Sequence, residues 1–322
     1  MPAGPNPPAG ADPADPNPSW PSLDRRSFLR HAGWAGAAVA VAVTGGIVTT
    51  DLLRGHSAGP KTADFTFVQI SDSHLGFAGK ANPDVSRTFQ QSIDLINALP
   101  DRPDFVVHTG DVTHFSTLAQ LDQAKQMMGT LRTGQVLVLP GEHDAVDDEG
   151  QKYLQVFGAG TRGRGWYSFD HKGVHLIALV NTTGAQVLGH LGADQLAWLR
   201  NDVAHLSAET PIVVFGHIPM FEMYTPWGWG TDDAPQAFRL LRRFGSVTVL
   251  NGHVHQITSK TEGNVTFHTC APTAYPLPPP GQGPAPNPVT VPASQLHQVL
   301  GIRDVTYSAH RRGLELVDQV LP

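Results

Sequence analysis

Five times in this chain an apolar run that reads as a β-strand stops at residues able to hold a metal ion. The runs are Val68-Gln69-Ile70-Ser71-Asp72-Ser73-His74, Val106-Val107-His108-Thr109-Gly110-Asp111, Val136 to Asp144 ending Gly141-Glu142-His143-Asp144, Ile212 to His217 ending Gly216-His217, and Val247 to His255 ending Gly252-His253-Val254-His255. Amphipathic stretches separate the first three, predicting helices over Ser86 to Leu99, stopped by Pro100, and over Leu118 to Leu131. A strand-helix-strand-helix-strand order calls for a mostly parallel sheet covered by helices. In such sheets ligand groups gather at the carboxyl ends of the strands, where all five motifs fall. In an extended chain, residues two apart point the same way, so Asp72 and His74 would face one cation together.

The remainder of the chain fits the same frame. Trp166 to Asp170 and Val174 to Val180 flank His171-Lys172-Gly173 as a hairpin, Ala193 to Leu206 and Ala234 to Phe244 read as helices, Thr266 to Cys270 as a strand, and Val305 to Tyr307 with Leu314 to Val320 as a closing hairpin. A net charge of -6 gives no basic footprint for nucleic acid. The single cysteine, Cys270, forms no internal disulfide and reads as a small buried residue. Of 16 histidines, His74, His108, His143, His217, His253 and His255 lie in the strand-end motifs. His108, inside its strand, reads as a hydrogen-bonded core residue, whereas His190, His205, His268 and His310 match no motif and default to structure or surface.

Prolines mark two tracts outside this pattern. Residues 1–23 form a Pro-rich arm with no apolar period, expected to be disordered. Asp24-Arg25-Arg26-Ser27-Phe28-Leu29-Arg30 and the uncharged run Ala32 to Thr50 resemble a twin-arginine export signal, which makes 24–58 a signal with the translocase as its partner. A retained membrane anchor through 32–50 is the other reading of that run. Either way the expected location is periplasmic or extracellular. The second tract, 271–292, is a long Pro-rich loop inside the globular part, 64–322, expected to be functional or disordered.

Taken together, the blocks Asp72-x-His74, Gly110-Asp111, Gly141-Glu142-His143-Asp144, Gly216-His217 and Gly252-His253-Val254-His255 resemble the calcineurin-like metallophosphoesterase family in order and spacing. The resemblance implies a four-layer α/β/β/α sandwich, two mixed sheets flanked by helices, with a two-metal centre at one edge. It places Asp72, His74 and His255 on the first metal, Glu142, His217 and His253 on the second, and Asp111 between them. It makes His143 the residue that contacts phosphate or protonates the leaving group, with Asp144 holding its orientation. The activity implied is hydrolysis of a phosphomonoester or phosphodiester by metal-bound hydroxide, the spacing being more like that of compact bacterial phosphodiesterases. Mixed imidazole and carboxylate ligands suit Mn, Fe or Zn, and glycines before the ligands fit sharp turns.

One block departs from the family pattern, which has asparagine where this chain has Glu142. A charged, longer side chain there adds a third carboxylate to the site. If Glu142 instead took the water or phosphate position, the protein would be a non-hydrolytic metal- or ligand-binding protein on the same fold. An envelope-anchored interaction module is a further reading, resting on the 32–50 run and the proline tracts. His114, three residues after Asp111, is either a second partner in the site or a surface cap. Tyr224 and Trp227, on an aromatic loop soon after His217, form either a wall for substrate or packing against the 271–292 loop. The substrates expected on location are a small organic phosphate ester, a nucleotide or a phospholipid head group.

Overall fold

The structure, a computed structural model, describes residues 65–183, 188–311 and 313–322, together with the backbone of strands Val39–Thr44 (β1) and Ile47–Leu52 (β2). The chain divides into two units, Met1–Ala40 with Leu52–His56, and Val41–Asp51 with Ser57–Pro322. The expected arm 1–23 lies outside the described residues, as does most of the 24–58 segment. No helix among the described residues is long and apolar enough to cross a membrane.

Within the larger unit, Phe65–Ile70 (β3), Phe105–His108 (β4) and Val136–Val138 (β5) pair in parallel, joined by helices Val85–Asn97 (α1) and Leu118–Met128 (α2). Helix α1 begins where the Asp84 side chain accepts from the Arg87 amide, and α2 where Thr117 accepts from Gln120. Gly301–Ser308 (β12) and Gly313–Val320 (β13) return antiparallel along the open side of β3, giving the order β1-β2-β13-β12-β3-β4-β5.

A second sheet contains Tyr167–His171 (β6), Val174–Ala178 (β7), Ile212–Phe215 (β8), Val247–Asn251 (β9), Thr258–Glu262 (β10) and Val265–Thr269 (β11), in the order β10-β11-β9-β8-β7-β6. Its centre, β7 to β9 with β11, is parallel and its two edges are antiparallel. Ala193–Val203 (α4) and Ala234–Leu241 (α5) accompany this sheet, and Gln151–Phe157 (α3) follows β5.

Side-chain alternation along the strands fixes the layers. On β3 and β4, Phe65, Phe67, Phe105 and Val107 face the other sheet, where they meet Leu176, Val213 and Phe215. Their neighbours Val68, Ile70 and Val106 face outward onto Phe89, Ile93 and Ile96 of α1 and Leu121 of α2. On the second sheet Ile177, Ile212, Val214 and Val249 turn outward to Leu196 and Leu199 of α4 and Phe238 of α5. The result is the expected α/β/β/α sandwich of two mixed sheets. Strands predicted from periodicity occupy their places within a few residues, whereas β1, β2, β10 and α3 were not predicted, the first two lying in the segment read as an export signal or membrane anchor.

Candidate metal centre

The carboxyl ends of β3, β4 and β5 in one sheet and of β8 and β9 in the other meet at one edge of the sandwich. Three sets of donors converge there, each with its ligand atoms within 4.8 Å of one another: Asp72, His74 and His255; Glu142, His217 and His253; and Asp72, Asp111 and His217. Asp111 stands between the first two groups, its Oδ2 3.4 Å from His74 Nε2 and 3.5 Å from His217 Nε2, while its Oδ1 accepts from the His143 amide at 2.9 Å. Every residue expected as a ligand is therefore brought to this edge.

The route by which they arrive differs from the extended one expected. Asp72, His74, Asp111, His253 and His255 all have positive φ, between 41° and 70°, a left-handed backbone that costs a non-glycine residue about 1–2 kcal/mol. Cross-links over-determine it: the Asp72 amide donates to Gly110 O, the His74 amide to Asp111 O, and the His253 amide to the Asp72 carboxylate at 3.1 Å. Close packing explains three of the glycines that precede ligands. A side-chain carbon at Gly110 would meet the His217 ring, at Gly141 the Asp111 carboxylate, and at Gly252 Ser71 and Asp72; Gly216 has ordinary room.

Hydrogen bonds on the far side of the rings fix which nitrogen faces the centre. His217 Nδ1 donates to Thr109 O at 2.7 Å and His255 Nδ1 to Tyr275 O at 2.5 Å, so each turns its Nε2 inward. There His255 Nε2 lies 3.2 Å from His74 Nε2 and 3.3 Å from Asp72 Oδ1. Glu142 reaches across the second group, Oε2 at 2.9 Å from His217 Nε2 and Oε1 at 2.8 Å from His253 Nδ1. Yet Glu142 Oε2, His217 Nε2 and His253 Nδ1 are buried without a hydrogen bond among the described residues. Imidazoles and carboxylates crowded at ligand-to-ligand spacing, several of them without a hydrogen bond, make a donor set that fits borderline divalent cations.

With carboxylates and imidazoles this close, each holds the other's charge. Burial would raise the Asp72 pKa, but His255 and His217 outweigh it and hold the carboxyl down at about 2. Burial likewise opposes ionisation of Glu142, and His253 and His217 hold it well below its ordinary value. Burial depresses His74 well below the usual histidine range, with His143, His255 and His114 adding to it. For His217 burial is outweighed by the carboxylates of Asp111 and Glu142, which hold it high.

Asp144 does not orient His143 directly, contrary to the expectation. Its two oxygens accept from Val112 N, Gly141 N, Thr113 N and Thr113 Oγ1 at 2.8–3.0 Å, and so lock the 141–144 turn onto the strand end carrying Asp111. The acceptor for His143 Nδ1 is the His114 carbonyl, at 2.9 Å, which leaves Nε2 free. Burial and the Asp111 carboxylate push Asp144 up to about 6. His143 is raised, the pull of Asp111 and Glu142 outweighing its burial.

His114 is part of the site: its Nδ1 is 3.2 Å from His74 Nδ1 and its ring stacks on that of His143 at 4.6 Å. His108 is the buried core residue expected, 2.9 Å from Ser73 Oγ, with burial taking its pKa to about 3. Tyr224 and Trp227 pack edge to face at 5.2 Å, and the Tyr224 side chain lies against Gly281, so the aromatic loop and the 271–292 loop meet. The sequence did not reveal Tyr275, whose carbonyl holds His255 and whose ring stacks on His74 at 4.9 Å. It did not reveal Asn82 either, which donates to Ala274 O at 2.7 Å and ties this loop down.

Comparison with known proteins decides the family. A model of the calcineurin-like phosphoesterases matches residues 65–257, well over half the chain. The chain belongs to the calcineurin-like phosphoesterase family. It is accordingly a metal-dependent phosphoric ester hydrolase. The glycerophosphodiester phosphodiesterase GpdQ of Enterobacter lignolyticus is 25% identical over 271 residues, 78% of this chain and 94% of that protein. A probable cyclic nucleotide phosphodiesterase of a Psychrobacter species is 24% identical over 186 residues, 54% of this chain and about half, 53%, of its own length. Among solved structures, a dimetal phosphatase from Danio rerio superposes with a TM-score of 0.56 at 12% identity, covering 77% of this chain and 94% of that one. A purple acid phosphatase from yellow lupin gives 0.53 at 13% identity, over 81% and 54%. At such identities these structures share the fold.

Proposed function

We propose that the protein is an exported phosphodiesterase for small organic phosphodiesters, with two metal ions of the Mn, Fe or Zn class in the paired donor groups. Asp72, His74 and His255 would hold one ion, Glu142, His217 and His253 the other, and Asp111 both. Such a pair would activate a water and offset charge on the phosphoryl oxygens. His143, with Nδ1 fixed on the His114 carbonyl and Nε2 free, protonates the departing alkoxide. Asp144 holds the turn that carries it.

The observation that carries this reading is the shared Asp111 Oδ2, 3.4 and 3.5 Å from imidazoles of the two groups. The diester is preferred to the monoester because the two curated relatives described above are phosphodiesterases by name. Glu142 sits among the ligand atoms rather than away from them, which supports hydrolysis over a binding protein without turnover. Export rests on the paired arginines and the uncharged run after them, and on nothing in the fold.

Metal analysis of the purified protein, paired with hydrolysis of an aryl phosphodiester and an aryl phosphomonoester, tests the proposal. Two ions per chain with diester turnover several-fold above monoester turnover is the expected result. Monoester preference would overturn the substrate assignment, and cleavage of neither would overturn hydrolysis. A reporter fused behind residues 1–58 and lost from the envelope when both arginines are changed to lysine would support export; unchanged delivery would sink it.

A further inference from the structure

Among the described residues, six large apolar side chains are exposed: Phe115, Leu118, Val146, Ile257, Val299 and Val320. Exposed apolar residues scattered singly need no explanation, but three of these six share one cavity. Phe115, Leu118 and Val146 follow Asp111 and Asp144 closely, with Ser116 between them donating to the Asp144 carbonyl. Ile257, Val299 and Val320 line a cavity of about 430 Å³ whose wall includes His255.

A chain of ring contacts joins the two sides. The Phe115 ring lies 4.5 Å from His114, His114 lies 5.2 Å from Phe77, and Phe77 lies 4.3 Å from Tyr275. Phe77 and Leu277 pack on the cluster around Tyr275, and Leu277 forms the near wall of the cavity. The polar groups there are poor anchors for an ion. They are the amides Gln256, Gln298 and Gln319, and Asp318, whose carboxylate is already held by Arg303 at 2.8 and 2.9 Å. Gln256 is itself spent on the carbonyls of Leu277 and Pro278.

We infer that the cavity beside His255 is a subsite for the alkyl or acyl chain of an amphiphilic phosphodiester. The inference rests on the phosphoester reading of the metal centre and names its substrate class. The cavity shares a wall with a metal ligand, so its occupant is a substituent of the phosphate bound there. Walls supplied mainly by Ile257, Leu277, Val299, Leu300 and Val320, with the Asp318 carboxylate already paired to Arg303, favour an apolar substituent over a second anion. A volume of this size suits part of a chain and leaves the far end in solvent.

Calorimetry on the metal-loaded full chain, with ethyl and n-decyl methylphosphonate below micelle concentration, tests it. Each methylene taken out of water tightens binding about fourfold, so the decyl ester should bind at least tenfold tighter than the ethyl ester. In Ile257→Gln and Val299→Gln, both at exposed positions, that ratio should fall below about threefold, while in Val146→Gln it should persist. Loss of the ratio in Val146→Gln alone would move the chain to the other side and overturn the assignment. Equal affinities in the parent would overturn it too, and a dimer in sedimentation velocity would then give the exposed apolar side chains to a second copy. A decyl advantage without hydrolysis of any ester would support the subsite and sink the phosphodiesterase reading. Ester hydrolysis with no decyl advantage would do the reverse.

Discussion

Between the sheets, Phe67 of β3 packs its ring 4.6 Å from Phe105 and 5.9 Å from Phe215; five residues further on, just past the strand's end, Asp72 sits in a left-handed backbone with its carboxylate among imidazoles. The interior of these strands is mostly apolar and close-packed, and their carboxyl ends break several local rules at once. Five candidate ligands have positive φ, and buried donors and acceptors there lack hydrogen bonds among the described residues. Strain of this kind persists only where the surroundings hold it. The four-layer core supplies the stability that lets the edge be kept in an unfavourable, pre-formed arrangement. Stability and chemistry should therefore be separable by mutation.

The largest effect expected is at Asp111, the carboxylate both groups share. Asp111→Asn should lower phosphodiester hydrolysis by at least about 10³-fold and reduce the metal bound per chain, with the thermal unfolding of the metal-free protein little changed. A variant that kept full metal and activity would remove Asp111 from its bridging place. The opposite dissociation is expected from Phe67→Ala. It should cost about 3–5 kcal/mol in denaturant unfolding, yet the folded fraction should still bind the same number of ions.

A finer separation lies within the edge itself. His143→Ala should lower hydrolysis by about 10²-fold at unchanged metal content, and most for esters with poor leaving groups. Equal losses on good and poor leaving groups would argue against proton donation. Smallest is a pH effect far from the centre, at His175 of β7, whose ring donates to Asp170 and Asp202 at 2.8 and 2.9 Å. Burial depresses its pKa and those two carboxylates outweigh it, so the folded value lies above the unfolded one. Its contribution is then fully present below about pH 6.5 and fades as pH rises through the folded value. The parent should exceed His175→Gln by roughly 1.5 kcal/mol at low pH, and denaturant melts should converge at alkaline pH; a constant gap would contradict the assignment.

Much of this molecule was legible in the sequence because strand interiors and strand ends carry different chemistry. The residues that converge at the edge could be picked out because Asp, His and Gly-His at the end of an apolar run have few other uses. What sequence could not convey was how those residues converge. The Asp72 and His74 pair meets through left-handed turns, which side-chain periodicity does not encode. Tyr275 was hidden because it acts on His255 through a backbone carbonyl, a role any residue fills. The orienting partner of His143 was misassigned to Asp144 for the same reason, since the true acceptor is the carbonyl of His114. Strand β10 escaped because Thr258–Glu262 is polar and largely exposed, held by pairing with β11 and not by burial. The 271–292 loop, expected to be functional or disordered, is fastened to the site by Thr273 N to Ser71 O and Ala274 N to Asp72 O.

Five strand ends, we propose, build one centre for two cations that hydrolyses a phosphodiester. Titration of the metal-free protein with Mn²⁺, following bound metal and aryl phosphodiester hydrolysis in the same samples, tests it most directly. The account predicts saturation at two ions per chain, with hydrolysis appearing as the second ion binds. Saturation at one ion, or two ions bound with no hydrolysis, would contradict it.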